Sequence, residues 1–71
     1  MNRYAFSLAG PTGRSGEVKA PDLQAAAEAV AGHPYVNLNR EGAGHWAIEE
    51  RRRTADGGFV RRVIGTLVRV G

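Results

Sequence analysis

Five of the chain's nine arginines fall within residues 49–62, EERRRTADGGFVRR: Arg51, Arg52 and Arg53 precede a turn, and Arg61 and Arg62 follow it. A guanidinium carries its donors in a planar fork that matches two oxygens of a phosphate or carboxylate at once. Arg69 is a sixth arginine from position 51 onward, and Asp56 is the only acid there. The first fifty residues hold four basic and six acidic side chains, so the net charge of +3 is concentrated in the last third of the chain. A single-sign field of this kind calls for an anionic partner, either a nucleic acid or an acidic protein surface. The competing reading is a solvated hairpin, in which arginine stems cover apolar edge and their charges blunt an exposed strand. Glu49 and Glu50 stand beside the first cluster and would neutralise part of it.

The predicted binding set is Arg51, Arg52, Arg53, Arg61, Arg62 and Arg69, with Arg14 in a glycine-rich loop and Tyr35 as an exposed ring able to stack on a base. Tyr4, Phe6 and Trp46 are assigned to the core, because five aromatics are few for a chain of 71 residues. The basic-glycine-aromatic signature of RNA-recognition sheets does not occur.

Other chemistry is poorly served. His33 and His45 have no metal-ligand spacing, and His33 is expected to serve a helix C-terminus, where a positive ring is favoured. Glu49 and Glu50 are neighbours on a strand and point to opposite faces, so they do not form an acid–base pair. Ser7 and Ser15 lack a nucleophile's surroundings. GPTGRSG has no lysine ending and leads into a strand, not a helix, so it is no phosphate loop. The chain reads as a non-enzyme with neither cofactor nor metal.

These side chains need a sheet to position them. RYAFSLAG alternates, with Tyr4, Phe6 and Leu8 on one face, and EVKA returns as a short strand after the turn residues GPTGRSG. PDLQAAAEAVAGHP is the one clear helix: Asp22 caps it, Leu23, Ala26, Ala27, Val30 and Ala31 form an apolar stripe, Gly32 ends it and Pro34 blocks continuation. YVNLNR turns Val36 and Leu38 inward. EGAG reads as a turn, and HWAIEERRR directs Trp46 and Ile48 inward. TADGG is a hairpin signal. FVRRVIGTLVRV breaks its own alternation, which predicts a bulge near Gly65 that switches faces.

The sum is an α+β domain of order ββαβββ over residues 1–71, an antiparallel sheet of about five strands with one helix on a face. A chain this short buries only about 60% of its unfolded surface, so homodimerisation is an option for stability. Cysteine is absent, which excludes disulfides and suits a reducing compartment. No apolar run approaches the roughly 18–20 residues of a membrane span, and no secretory leader is evident. A cytoplasmic location without membrane association is expected.

The stretch GRSGEVKAPDLQAAAEAVA followed by HWAIEERRR resembles small phage-encoded inhibitors of CRISPR–Cas systems, in particular the type I-F anti-CRISPR proteins with a five-stranded antiparallel sheet cradling one helix. In both, a short strand ends at a small residue, runs directly into an alanine-rich helix and is followed by β-hairpins. The resemblance implies a viral inhibitor acting without catalysis in the host cytoplasm, by occupying the surfaces a crRNA-guided complex uses for target DNA. The basic character of this chain departs from inhibitors that mimic DNA. An inhibitor of this composition would cover a Cas subunit or hold nucleic acid with its arginines.

Three functions follow as expectations. The first is an anti-CRISPR inhibitor that engages a Cas nucleoprotein complex through the basic hairpin. The second is a small nucleic-acid-binding regulator or architectural protein. The third is a homo-oligomeric accessory protein that pairs through the apolar tail VIGTLVRV as an exposed edge.

Overall fold

The computed structural model describes residues 1–10 and 13–71. The elements are β1 (Asn2–Leu8), β2 (Ser15–Ala20), α1 (Leu23–Ala31), β3 (Val36–Gly42), β4 (His45–Arg53) and β5 (Phe59–Arg69). All strand pairs are antiparallel, and the sheet order is β2-β1-β5-β4-β3. The ββαβββ order expected from the sequence is therefore the observed fold. Of the expected turn GPTGRSG, Pro11 and Thr12 lie outside the described residues. The turn expected over EGAG is narrower, because β3 runs to Gly42 and leaves only Ala43 and Gly44 between the strands.

The helix forms where local rules place it. Asp22 is its N-cap, with Oδ1 accepting from the Ala25 N–H at 2.8 Å. Gly32 closes it at φ 82°, a left-handed conformation that costs a side-chain-bearing residue about 1–2 kcal/mol. The helix leaves edge strand β2 and feeds edge strand β3, touching both. It therefore lies diagonally across one face of the sheet. Ala20, Tyr4, Leu67, Ile48 and Val36 lie along that diagonal and are buried, packed against Ala26, Ala27 and Val30. The alanines permit this close approach of helix to sheet.

Two expectations about the core are corrected by this geometry. Trp46 points to the helix-covered side, in register with Leu67 and Arg40, yet it is only partly buried and stands outside the core cluster. It lies off the helix diagonal. The tail VIGTLVRV is not an edge, because β5 is the central strand and residues 65–68 pair with β1 and β4 together. Over that stretch its backbone groups are already used, so it offers no template for a second copy.

The predicted face switch in β5 is present. Ile48 pairs with Gly65 and Glu49 with Val63, leaving Ile64 as the extra residue of a bulge. Ile64 and Leu67 thereby both pack on the core, although their spacing puts them on opposite faces of a regular strand. Gly65 is required there. A Cβ at that position would stand 2.3 Å from the carbonyl oxygen of Ser7 and 3.0 Å from Leu8 Cα on the neighbouring strand.

The β4–β5 hairpin outruns the rest of the sheet. β3 pairs with β4 only as far as Glu50, and β1 pairs with β5 only as far as Gly65. Residues 51–61 form a two-stranded arm that reaches roughly 15 Å beyond its neighbours at the usual rise per residue. The molecule accordingly measures 42 × 25 × 22 Å. Its Cα radius of gyration is 12.3 Å, above the roughly 11 Å expected of a compact chain this long. Among the described residues, no helix is long and apolar enough to cross a membrane.

Candidate functional site

The arm has two faces, and the register sorts its charges between them. Arg51 pairs directly with Arg61, and Arg53 with Phe59, so these four side chains share the outer face, away from the helix. Arg52 pairs with Val60, and Glu50 with Arg62, on the opposite face.

The helix-side face is partly neutralised, with one carboxylate among two arginines. Glu50, with a side chain only 12% exposed, places Oε1 at 2.7 Å from Arg52 Nε and Oε2 at 2.9 Å from His33 Nε2. Hydrogen bonds from His33, and then from Arg52, hold its carboxyl below the usual carboxylate range, and the Arg52 charge adds to this against the desolvation of a largely buried group. Arg62 stands opposite the same carboxylate in the register. His33 therefore bonds across to the arm's root, where the sequence had it serving the helix C-terminus.

The outer face keeps its charge. Arg51, Arg53 and Arg61 form no ion pair among the described residues. Glu49 shares this face, but its Oε1 accepts from Asn39 Nδ2 on β3, turning it away from the arm. Asp56, the only acid beyond position 50, is folded into the arm's turn. Its carboxylate accepts from the Thr54 hydroxyl and from the Gly58 N–H, and these bonds hold it below the usual carboxylate range. The turn itself is closed by Thr54 N–H to Gly58 O at 2.8 Å and Gly57 N–H to Thr54 O at 3.1 Å.

Tyr35 joins this face from the segment between helix and β3. Its carbonyl accepts from the Arg51 N–H at 3.0 Å, which carries the β3–β4 register one residue further, and its own N–H donates to His33 Nδ1 at 3.1 Å. Because Nδ1 accepts, Nε2 is the nitrogen that carries the proton and donates to Glu50. Tyr35, Arg51, Arg53 and Phe59 line a shallow open cleft of about 530 Å³. The Arg53 guanidinium lies over the Phe59 ring, 6.0 Å from its centroid, at the outer limit of a cation–π contact.

The structure thus brings together Arg51, Arg53, Arg61 and Tyr35 from the predicted set. Arg52 and Arg62 occupy the arm's other face. Arg69 lies on the helix-covered face beside Tyr4, with Nη2 at 3.4 Å from Asn2 Oδ1, away from the arm. Arg14 sits in the β1–β2 loop with its guanidinium 6.0 Å over the Phe6 ring. Phe59 and Val63 were not singled out in the sequence, yet both are exposed on the arm's outer face. The signal was the alternation Phe59, Arg61, Val63, in which apolar residues share a parity with an arginine. Comparison with family models, curated proteins and solved structures finds no match to this chain.

Proposed function

We propose that this is a non-enzymatic nucleic-acid-binding protein that grips the phosphate backbone with the outer face of its β-ribbon arm. The observation that carries this reading is the in-register facing of Arg51 and Arg61, with Arg53 beside them and no carboxylate paired to any of the three among the described residues. Like charges placed directly opposite on paired strands destabilise the pair. Here they fall where the sheet narrows to two strands, with Tyr35 alone bonded on the β3 side. A bound polyanion offsets that repulsion and adds bidentate contacts. A two-stranded ribbon also has the width that a DNA major groove admits. Such an arm would act in the cytoplasm, where nucleic acid is within reach.

Binding to duplex and single-stranded DNA in a salt titration tests the proposal. Two to three phosphate contacts should make log K fall with log salt at a slope of about −2 to −3. Arg51→Ala and Arg61→Ala should each lower affinity across all sequences and reduce the slope by about one. Absence of binding at low salt, or an affinity indifferent to both substitutions, overturns it.

A second reading keeps the same arm and directs it at a CRISPR–Cas nucleoprotein complex. What supports it is the topology, five antiparallel strands with one helix, which is the architecture the resemblance implies. Relief of interference in cells expressing a type I-F system tests it, and an unchanged level of interference rejects it.

A further inference from the structure

The cleft on the arm's outer face holds more than charge. The chain has five aromatic side chains. Tyr4 is buried, and Phe6 and Trp46 are partly buried. The remaining two, Tyr35 and Phe59, are 62% and 68% exposed, and both line this one cleft together with Arg51 and Arg53. A single exposed ring on a small protein needs no explanation. Having both exposed rings converge on the same un-neutralised arginines is a different matter.

The register gives the layout. Tyr35 stands beside Arg51, which stands beside Arg61, in one row across the arm. Arg53 and Phe59 form the next row toward the tip. Tyr35 and Phe59 therefore occupy opposite corners of a patch whose other three positions are arginines 51, 53 and 61. With strands about 4.8 Å apart and a rise of about 3.4 Å per residue, their backbones are separated by roughly 12 Å along the diagonal. Both corners are held. Tyr35 is fixed on two sides through Arg51 and His33, and Phe59 begins β5 opposite Arg53.

Duplex DNA offers such a patch little beyond phosphate, because its bases are stacked on each other and present only their edges. An unpaired strand exposes π faces that stack on aromatic side chains, with arginines following the phosphates between them. An acidic peptide would satisfy the guanidinium groups and leave both rings without a partner. Deepening the phosphate-gripping reading above, and resting on it, we infer that the cleft is a stacking site for an unpaired stretch of nucleic acid. One base lies on Tyr35, the next on Phe59, and the intervening phosphate is held by Arg51 and Arg53. The chemistry recognised is base face plus phosphate, without discrimination among base edges. The Arg53 guanidinium, now over Phe59, is within reach of that phosphate by rotation of its own side chain.

The test compares three probes of equal charge by fluorescence anisotropy: a short oligo-deoxythymidine, the same strand with abasic sites, and a duplex. The wild-type protein should bind the oligo-deoxythymidine about tenfold more tightly than the abasic strand. Tyr35→Ala and Phe59→Ala should each remove most of that difference and leave duplex and abasic binding within about twofold, in line with a phosphate grip that needs no rings. Both side chains are exposed, so unchanged thermal midpoints will confirm that the variants are folded. Phe59→Trp should retain tight binding, and its indole fluorescence should be quenched by the oligonucleotide and not by the abasic strand. Equal affinity for the base-containing and abasic strands overturns the inference and leaves the phosphate-gripping arm standing. No binding to any probe overturns both. Competition by poly-glutamate as effective as that of oligo-deoxythymidine at equal charge also overturns the stacking site, and redirects the arm to an acidic protein.

Discussion

The imidazole of His33, just past the end of α1, donates from Nε2 to Oε2 of Glu50 at 2.9 Å, at the root of the basic arm. The other oxygen of that carboxylate takes Arg52 at 2.7 Å, and the other nitrogen of that ring takes the Tyr35 N–H at 3.1 Å. The His33 and Tyr35 rings lie 5.9 Å apart. One largely buried carboxylate therefore ties the helix terminus, the arm and the aromatic wall of the cleft to one another. It also consumes on the helix side the negative charge that would otherwise weaken the arm's field.

Glu50 should make stability depend on pH in a defined direction. Its carboxyl is held below the ordinary value of 4.5 in the folded chain, so in that range the unfolded chain binds more protons. The contribution is fully present above about pH 4.5 and is lost as the pH falls through the lower folded value. Glu50→Gln should cost about 1 kcal/mol near neutrality. Denaturant midpoints of the two proteins should converge on acidification, and a gap that persists at low pH would place the stabilisation elsewhere.

Arg51 and Arg61 should show opposite effects on stability and binding. Removing either one relieves the facing of like charges, so Arg61→Ala should stabilise the protein by about 0.2–0.5 kcal/mol at low salt. The gain should shrink as salt screens the pair. The double substitution should gain less than the sum of the two singles, since the repulsion can be removed only once. Thermal melts at low and high ionic strength check this beside the binding titration.

Gly65→Ala should destabilise the centre of the sheet. The added methyl would meet backbone atoms of Ser7 and Leu8, which cannot rotate aside as a side-chain tip can. A loss of about 1–3 kcal/mol is expected, the usual cost of overpacking. Urea unfolding measures it, and Gly10→Ala is a poor control, because that glycine has φ 113°. Gly42→Ala is the better one, with no neighbour within 4 Å of an added Cβ and no positive φ.

Amide hydrogen exchange should divide the hairpin in two. A two-stranded ribbon is marginal alone in water. Amides of residues 51–61 that bond only across the arm should therefore exchange through local opening, far faster than those of Ile48 and Leu67 in the buried core. Added oligonucleotide should slow the arm and leave the core rates unchanged. Equal protection of arm and core in the free protein would show that the arm is held by contacts beyond its own two strands.

Local features were legible without coordinates wherever the controlling physics is local. Asp22, Gly32 and Pro34 delimit the helix through capping and backbone restrictions that act within a few residues. Alternation of apolar residues marked each strand, and the interrupted alternation around Gly65 marked the bulge. Trp46, the tail and Phe59 were less legible for a common reason. Whether a strand residue is covered depends on which strands flank it and where the helix crosses, and these are set by contacts distant in sequence.

The kinds of element, their order, and the parity of each side chain along its own strand follow from local sequence alone. Helix caps, turn residues and a two-residue strand period need no partner to act. Long-range packing sets β5 through the centre, lays the helix diagonally, and turns Glu50 toward His33 and Arg52 while Glu49 turns toward Asn39. Those choices leave Arg51, Arg53 and Arg61 together on an open face. They depend on which face of the sheet the alanine-rich helix covers, since burying apolar area on one side sends every second side chain of the arm to the other.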